Sequence, residues 1–370
     1  MPRMPVDSSI GLCLYCPNLC LSRCPVSLST GNLTLSAWGK MSCAWRLRSQ
    51  LVTETRASRH PTFMCLDCLA CREACDHGQD VPSALAEVRF GFRTAPAEPH
   101  AREPDPSGLP LPALVPYDPE EAWRILRDAT PAWRRSEDCQ ALLVPGMELL
   151  DASLAPVLAA IFRVLDLVGD RETGVNRDSV LECGHRPHAC GDLSAAIEEA
   201  RRAASRFSRY SRILLASPHC ASFALGRWPT LDLGRSPRML TLLEHVGRNA
   251  DLLRPGSFDG KVAWHDPCHL GRHLGQYGLP RDLLQWATNA RPVELPYSHN
   301  RSYCCGGGYP LSAASPTVSL SIASLLASHV REAAADVLAV GCGNCLKNLR
   351  LAAPDLNVVH IMEILARRGT

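Results

Sequence analysis

Lysine is almost missing from this 370-residue chain: it stands only at Lys40, Lys261 and Lys347, and arginine carries the rest of the positive charge. Net charge is +2, so no strongly basic field marks a nucleic-acid surface. No apolar run approaches the roughly 18 residues that a membrane span needs. Neither a G-x-G-x-x-G, a P-loop nor a Ser-His-Asp signature occurs, so no familiar motif binds flavin or nicotinamide. Met1 to Ile10 lacks the charged, apolar, small-residue order of a secretory leader. With 46% hydrophobic residues, the chain is expected to be a soluble, cytoplasmic protein of two or three domains.

Cysteine is abundant instead, with 18 residues. Eight of them form two tight quartets, Cys13, Cys16, Cys20 and Cys24 followed by Pro25, and Cys65, Cys68, Cys71 and Cys75. The second reads C-x2-C-x2-C-x3-C, a bacterial ferredoxin run with Asp76 where proline is usual. The first has one extra residue before its third cysteine. Each iron of a cluster needs soft sulfur ligands, which short thiolate spacings supply. In two-cluster ferredoxins the fourth cysteine of each run crosses to the other cluster. The expected sets are therefore Cys13, Cys16, Cys20 and Cys75 for one cluster, and Cys65, Cys68, Cys71 and Cys24 for the other. Structural zinc also takes four thiolates but rarely uses two such runs, and disulfide frameworks belong to short secreted domains. Cys43 and Cys139 fit no pattern and are expected to be buried small hydrophobes.

The expected organisation is α+β and multidomain. An α-helical two-cluster ferredoxin-like domain covers 1–95, with helices over Leu35 to Leu51 and from Asp80-Val81-Pro82 onward, Pro at the first helical position. A linker follows at 96–119, where eight of 24 residues are proline. Two small α/β units come next, over 120–257 and 258–370.

These two units repeat one another. The offsets run from 119 to 125 residues: Met147 to Cys268, Cys183 to Cys305, Cys220 to Cys345 and Glu244 to Glu363. Each half alternates short β-branched runs with amphipathic helices, so its strands should feed loops that carry the cysteines.

The second unit holds a full set, Cys268, Cys304, Cys305, Cys342 and Cys345. Gly306 to Gly308 follow the adjacent pair and allow close approach of backbone to a cluster. Neighbouring thiolates suit a multi-iron centre better than one tetrahedral zinc, although zinc on Cys268, Cys342, Cys345 and one of the pair stays open. A redox dithiol at Cys342-x2-Cys345 is the weaker alternative, since it leaves three cysteines unexplained.

The run His265-Asp266-Pro267-Cys268-His269-Leu270-Gly271-Arg272, the block Cys304-Cys305-Gly306-Gly307-Gly308 and the terminal Cys342-x2-Cys345 resemble the cysteine-rich CCG domain. With the ferredoxin module before it, nearly the whole chain is similar to a family of iron–sulfur oxidoreductase subunits. That family includes subunits of anaerobic glycerol-3-phosphate dehydrogenase, glycolate oxidase, lactate-utilisation complexes and heterodisulfide reductases. The resemblance implies two [4Fe–4S] clusters in the N-terminal domain and, in the CCG part, a third iron–sulfur centre or zinc.

The first repeat departs from the pattern. Met147, Glu182 and Ser217 replace three cysteines and leave Cys183 and Cys220, too few to hold the same cluster. It is expected to be a scaffold that has lost its metal; a shared site using Cys183 and Cys220 is the alternative. His265, His269 and His273 around Cys268 are expected to hydrogen-bond the cluster or pack on the glycine loop.

The functional expectation is an electron-transfer subunit with no catalytic residue of its own. Its partner would be a flavoprotein dehydrogenase of a small organic substrate, and its acceptor or donor a quinone or other carrier, reached through a peripheral or anchored partner at the inner membrane face. One alternative is reduction of a disulfide at the CCG cluster, as in heterodisulfide reductases. The other is a non-redox, zinc-stabilised interaction module.

Overall fold

The computed structural model describes residues 6–94, 117–233, 237–253, 258 and 260–367. The linker expected at 96–119 lies, as far as 116, outside them. The fold is mixed helix and parallel sheet. The chain divides into two compact units: Met1–Val115 with Arg186–Ala196 and Tyr303–Leu326, and Pro116–His185 with Ile197–Ser302 and Ala327–Thr370.

The first unit is built from short helices that hold cysteine loops between them. Ser36 caps the helix Ala37–Arg48 by accepting the Gly39 N–H. The helix Val81–Thr94 starts one residue earlier than its proline suggested, because the Asp80 carboxylate accepts the Ser83 N–H and puts Pro82 in second place. These helices bury Ile10, Met41, Ala44, Leu85 and Val88 around Cys65. The 303–326 segment belongs to the same unit. Leu311 donates its N–H to the Cys65 carbonyl at 3.1 Å, and Gly308 lies so close to the Leu66 carbonyl that any Cβ there would overlap it.

The second unit carries two four-stranded parallel sheets with the same order. Strands β1 (Ala141–Val144), β2 (Thr173–Gly174), β3 (Arg212–Leu215) and β4 (Met239–Thr241) pair as β2-β1-β3-β4. Strands β5 (Val262–Trp264), β6 (Val293–Glu294), β7 (Val337–Val340) and β8 (Val358–His360) pair as β6-β5-β7-β8. The two inner strands of each sheet are buried on both faces, which is why they read as continuous apolar runs rather than alternating ones.

The repeat landmarks sit at equivalent places in the two sheets. Met147 and Cys268 follow β1 and β5, while Cys220 and Cys345 lie on the helices Pro218–Gly226 and Gly343–Ala352 that follow β3 and β7. The paired glutamates have a physical cause. Glu244 and Glu363 each close a capping box on the last residue of β4 and β8, Thr241 and His360, and so start the helix behind the strand.

Candidate metal centres

None of the 18 cysteines forms a disulfide. In the first unit eight of them surround two cavities. Cys13, Cys16, Cys20 and Cys75 line one, together with Trp38 and Cys71. Cys24, Cys65, Cys68 and Cys71 line the other, together with Lys40. Cys71 borders both, so the two spaces adjoin. The grouping joins three cysteines of each run to the fourth of the other.

The loops aim hydrogen-bond donors inward. Asn18, Asp67 and Leu69 adopt left-handed conformations at φ 63, 53 and 56°, which turn the cysteine loops sharply. The Asp67 N–H donates to the Cys65 sulfur and the Trp38 N–H to that of Cys20.

Metal-free, these thiols resist ionisation. Burial, then the neighbouring Cys20, Cys75 and Cys16, pushes Cys13 up to about 12. Burial pushes Cys65 up to about 11 against the pull of Lys40 and Arg89. Lys40 is 2% exposed, and its Nζ donates to Cys24 Sγ at 3.5 Å. Burial opposes its charge, whereas Cys24, Cys65, Cys71 and Cys68 raise its pKa above the ordinary value when they are ionised, as ligands of a cluster would be. Arg89 is buried beside Cys65 as well. Two buried cations, inward N–H donors and convergent soft sulfurs fit a net-negative iron–sulfur cluster and offer no preference for a lone zinc.

The remaining expected ligands are all buried. Cys304 and Cys305 belong to the first unit, where Gly307 donates its N–H to Cys305 Sγ at 3.5 Å and Ser319 Oγ ties down the Gly306 carbonyl at 2.8 Å. Cys268, Cys342 and Cys345 belong to the second. There the loop before Cys268 is fixed by Asp266. Its carboxylate takes two bonds from Arg281 at 2.7 and 2.8 Å, one from Trp264 Nε1 at 3.0 Å and one from the His299 N–H at 2.7 Å. Burial would raise its pKa, but Arg281 prevails and lowers it.

The histidines of this run divide by role. His269 Nδ1 contacts Cys268 Sγ at 3.3 Å, and its ring stacks on His273 at 4.3 Å between centroids. His265 is buried with Nδ1 3.4 Å from the Ser302 hydroxyl. In the first repeat Cys183 and Cys220 lie with their sulfurs 3.1 Å apart. Cys43 and Cys139, expected to be buried, are only half-buried.

Sequence reasoning missed Lys40, Arg89, Asp266, Arg281 and the buried pair Glu148 and His219. A weak signal existed for Lys40, since in a chain with three lysines one falls inside the interval between the quartets.

Residues 262–350 match the family model of the cysteine-rich domain, CCG. The chain is similar to one of the subunits of the dihydromethanophenazine:CoB–CoM heterodisulfide reductase of Methanosarcina acetivorans, 28% identical over 42% of this chain and 40% of the relative. Lactate utilization protein A of Oceanobacillus iheyensis is 37% identical over 37% of this chain and 56% of its own length. A probable membrane-anchored ferredoxin of Chromohalobacter salexigens is 29% identical over 59% of this chain and 33% of its own. The matches thus span less than two thirds of each of these relatives. Among the described residues no helix is long and apolar enough to cross a membrane.

Proposed function

We propose that this chain, one of the iron–sulfur oxidoreductase subunits marked by these matches, carries electrons between a flavoprotein dehydrogenase and a quinone or other carrier. Two [4Fe–4S] clusters are assigned to its first unit, on Cys13, Cys16, Cys20 and Cys75 and on Cys65, Cys68, Cys71 and Cys24. A third iron–sulfur centre, or zinc, is assigned to Cys268, Cys304, Cys305, Cys342 and Cys345. The modules are read as 1–95, 96–119, 120–257 and 258–370, the third being a CCG-type repeat without metal. Its place is the cytoplasm or the inner face of the membrane, through a partner.

One observation carries this reading. The segment with Cys304 and Cys305 is packed into the same compact unit as the second quartet, with Leu311 N–H bonded to the Cys65 carbonyl and Gly308 against Leu66. Packing of the loop assigned to the third centre beside a loop assigned to a cluster supports a path between them.

When bound, the clusters supply one-electron acceptance and release. The protein's own residues do the tuning. Lys40 and Arg89 favour the more negative state, the N–H donors of Asp67 and Trp38 spread charge from sulfur, and burial of Cys24, Cys65 and Cys68 keeps water from the second cavity. No nucleophile or acid–base pair is needed for such work. A second reading, disulfide reduction at the CCG centre, is favoured by the similarity to part of a heterodisulfide reductase. It is weakened by the cysteines absent at Met147, Glu182 and Ser217.

The test is stopped-flow reduction of the full chain by a candidate flavoprotein partner, followed at the visible absorbance of the clusters. Bleaching that needs the flavoprotein supports the proposal. Turnover of a disulfide by the chain alone supports the second reading.

A further inference from the structure

The first repeat has lost metal ligands at Met147 and Ser217, yet the residues there and beside them form a connected, buried polar set. Ser217 is 0% exposed, Glu148 7% and His219 6%. The Ser217 hydroxyl donates to a Glu148 carboxylate oxygen and accepts the Cys220 N–H at 3.1 Å, capping its helix. The same oxygen of Glu148 lies 3.6 Å from His219 Nδ1, and the Asn344 side-chain amide lies 3.3 Å from that nitrogen. The His219 side chain hydrogen-bonds Cys268, and a ring nitrogen, a Glu148 oxygen and Cys342 Sγ all lie within 4.8 Å of one another. His269, itself in contact with Cys268, meets the His219 ring edge-on at 4.0 Å.

A buried carboxylate and imidazole are costly unless each has partners. Here those partners end at two sulfurs that belong to the other repeat. A repeat that served only as packing would be served better by apolar side chains at these positions.

We propose that His219, oriented by Glu148 and Ser217, is a positioning residue for the intact repeat's centre and donates an N–H to the Cys268 sulfur. The first repeat is then a supplier of outer hydrogen bonds to the metal site of the second. This rests on the reading that Cys268 and Cys342 hold a metal centre. Such a bond stabilises the more electron-rich state of the sulfur and orients the ligand, without the histidine binding metal itself.

The experiment compares the full chain, purified anaerobically, with His219→Leu, His219→Gln and Glu148→Gln. Metals per chain are counted, and midpoint potentials are read by EPR-monitored titration. Expected is an unchanged metal count, a fall in the potential of one centre in His219→Leu, and recovery of most of that fall in His219→Gln, which retains an N–H donor. Because His219→Leu disturbs a packed site, Glu148→Gln is the second variant. It keeps volume, loosens the ring, and should shift the same centre in the same direction by less. Unchanged potentials in both variants overturn the proposal. Loss of metal in His219→Leu also overturns it, because His219 is then a ligand.

A site that holds zinc leaves the two quartet clusters as the electron path and leaves this proposal standing, and the readout becomes zinc transfer to a chelator. Expected is a loss of affinity of about 10- to 100-fold in His219→Leu, the range for an outer hydrogen bond to a metal ligand. No change there overturns the proposal.

Discussion

Replacing Lys40 with methionine removes one buried charge while keeping most of the side chain's length. The ammonium sits 3.5 Å from Cys24 Sγ and has no access to solvent to speak of, at 2% exposure. At about 5 Å from the charge it faces, with an effective dielectric near 20, a unit charge is worth about 3 kcal/mol. Moving one electron at that energy corresponds to a shift on the order of 100 mV. The sign follows from the chemistry: reduction adds negative charge, Lys40 favours it, and its loss makes the potential more negative. Potentiometric EPR on Lys40→Met and on the exposed Lys261→Met is the assay. One cluster should fall by on the order of 100 mV in the first variant and none should move in the second. A shift under about 20 mV, as full screening of this charge by water or a compensating group would give, would refute the reasoning, and so would any shift upward.

Gly308→Ala should push on the Leu66 carbonyl and displace the Cys65 loop, costing about four irons of the second cluster while the first survives; iron analysis and EPR check it. Arg134→Met should destabilise by about 3 kcal/mol in denaturant unfolding. The buried guanidinium satisfies the Thr173 and Asp170 carbonyls at 2.6 Å each and the Asp166 carboxylate at 2.7 Å, and methionine leaves all three short of a donor. Asp170 sets a pH dependence. Burial alone would raise its pKa, but His245 at 2.6 Å and two bonds from Thr173 at 2.8 Å hold it well below the usual range. A depressed folded pKa gives stability that is fully present above about pH 4 and lost as pH falls toward the folded value. Asp170→Asn should flatten that acid limb of the unfolding curve, and an unaltered slope would contradict the assignment.

Local chemistry explains what the sequence disclosed. Two cysteine quartets are legible because cluster ligands lie within a few residues of one another, and the near-constant offsets between halves are legible because Met147 and Cys268, Cys220 and Cys345, and Glu244 and Glu363 each follow a strand. Glu244 and Glu363 recur because a capping box has a fixed spacing. The tuning groups were invisible for the opposite reason. Lys40 meets Cys24 across 16 residues, Arg281 meets Asp266 across 15, and His219 meets Asn344 across 125. Burial of such groups is decided by packing that no local pattern records. Pro82 misled by one position, since a proline tolerated in the first turn does not say which residue of that turn it occupies. Ser217 looked like a lost ligand and proves to be a helix cap as well, which sequence alone does not distinguish.

The most direct measurement is iron, zinc and acid-labile sulfide per chain on anaerobically purified protein, with EPR of the reduced form. Expected are about eight irons from the two quartets, rising to about twelve where the cysteine-rich centre is a cluster, with matching sulfide and reversible reduction. A colourless, redox-silent protein without iron would contradict the cluster assignments.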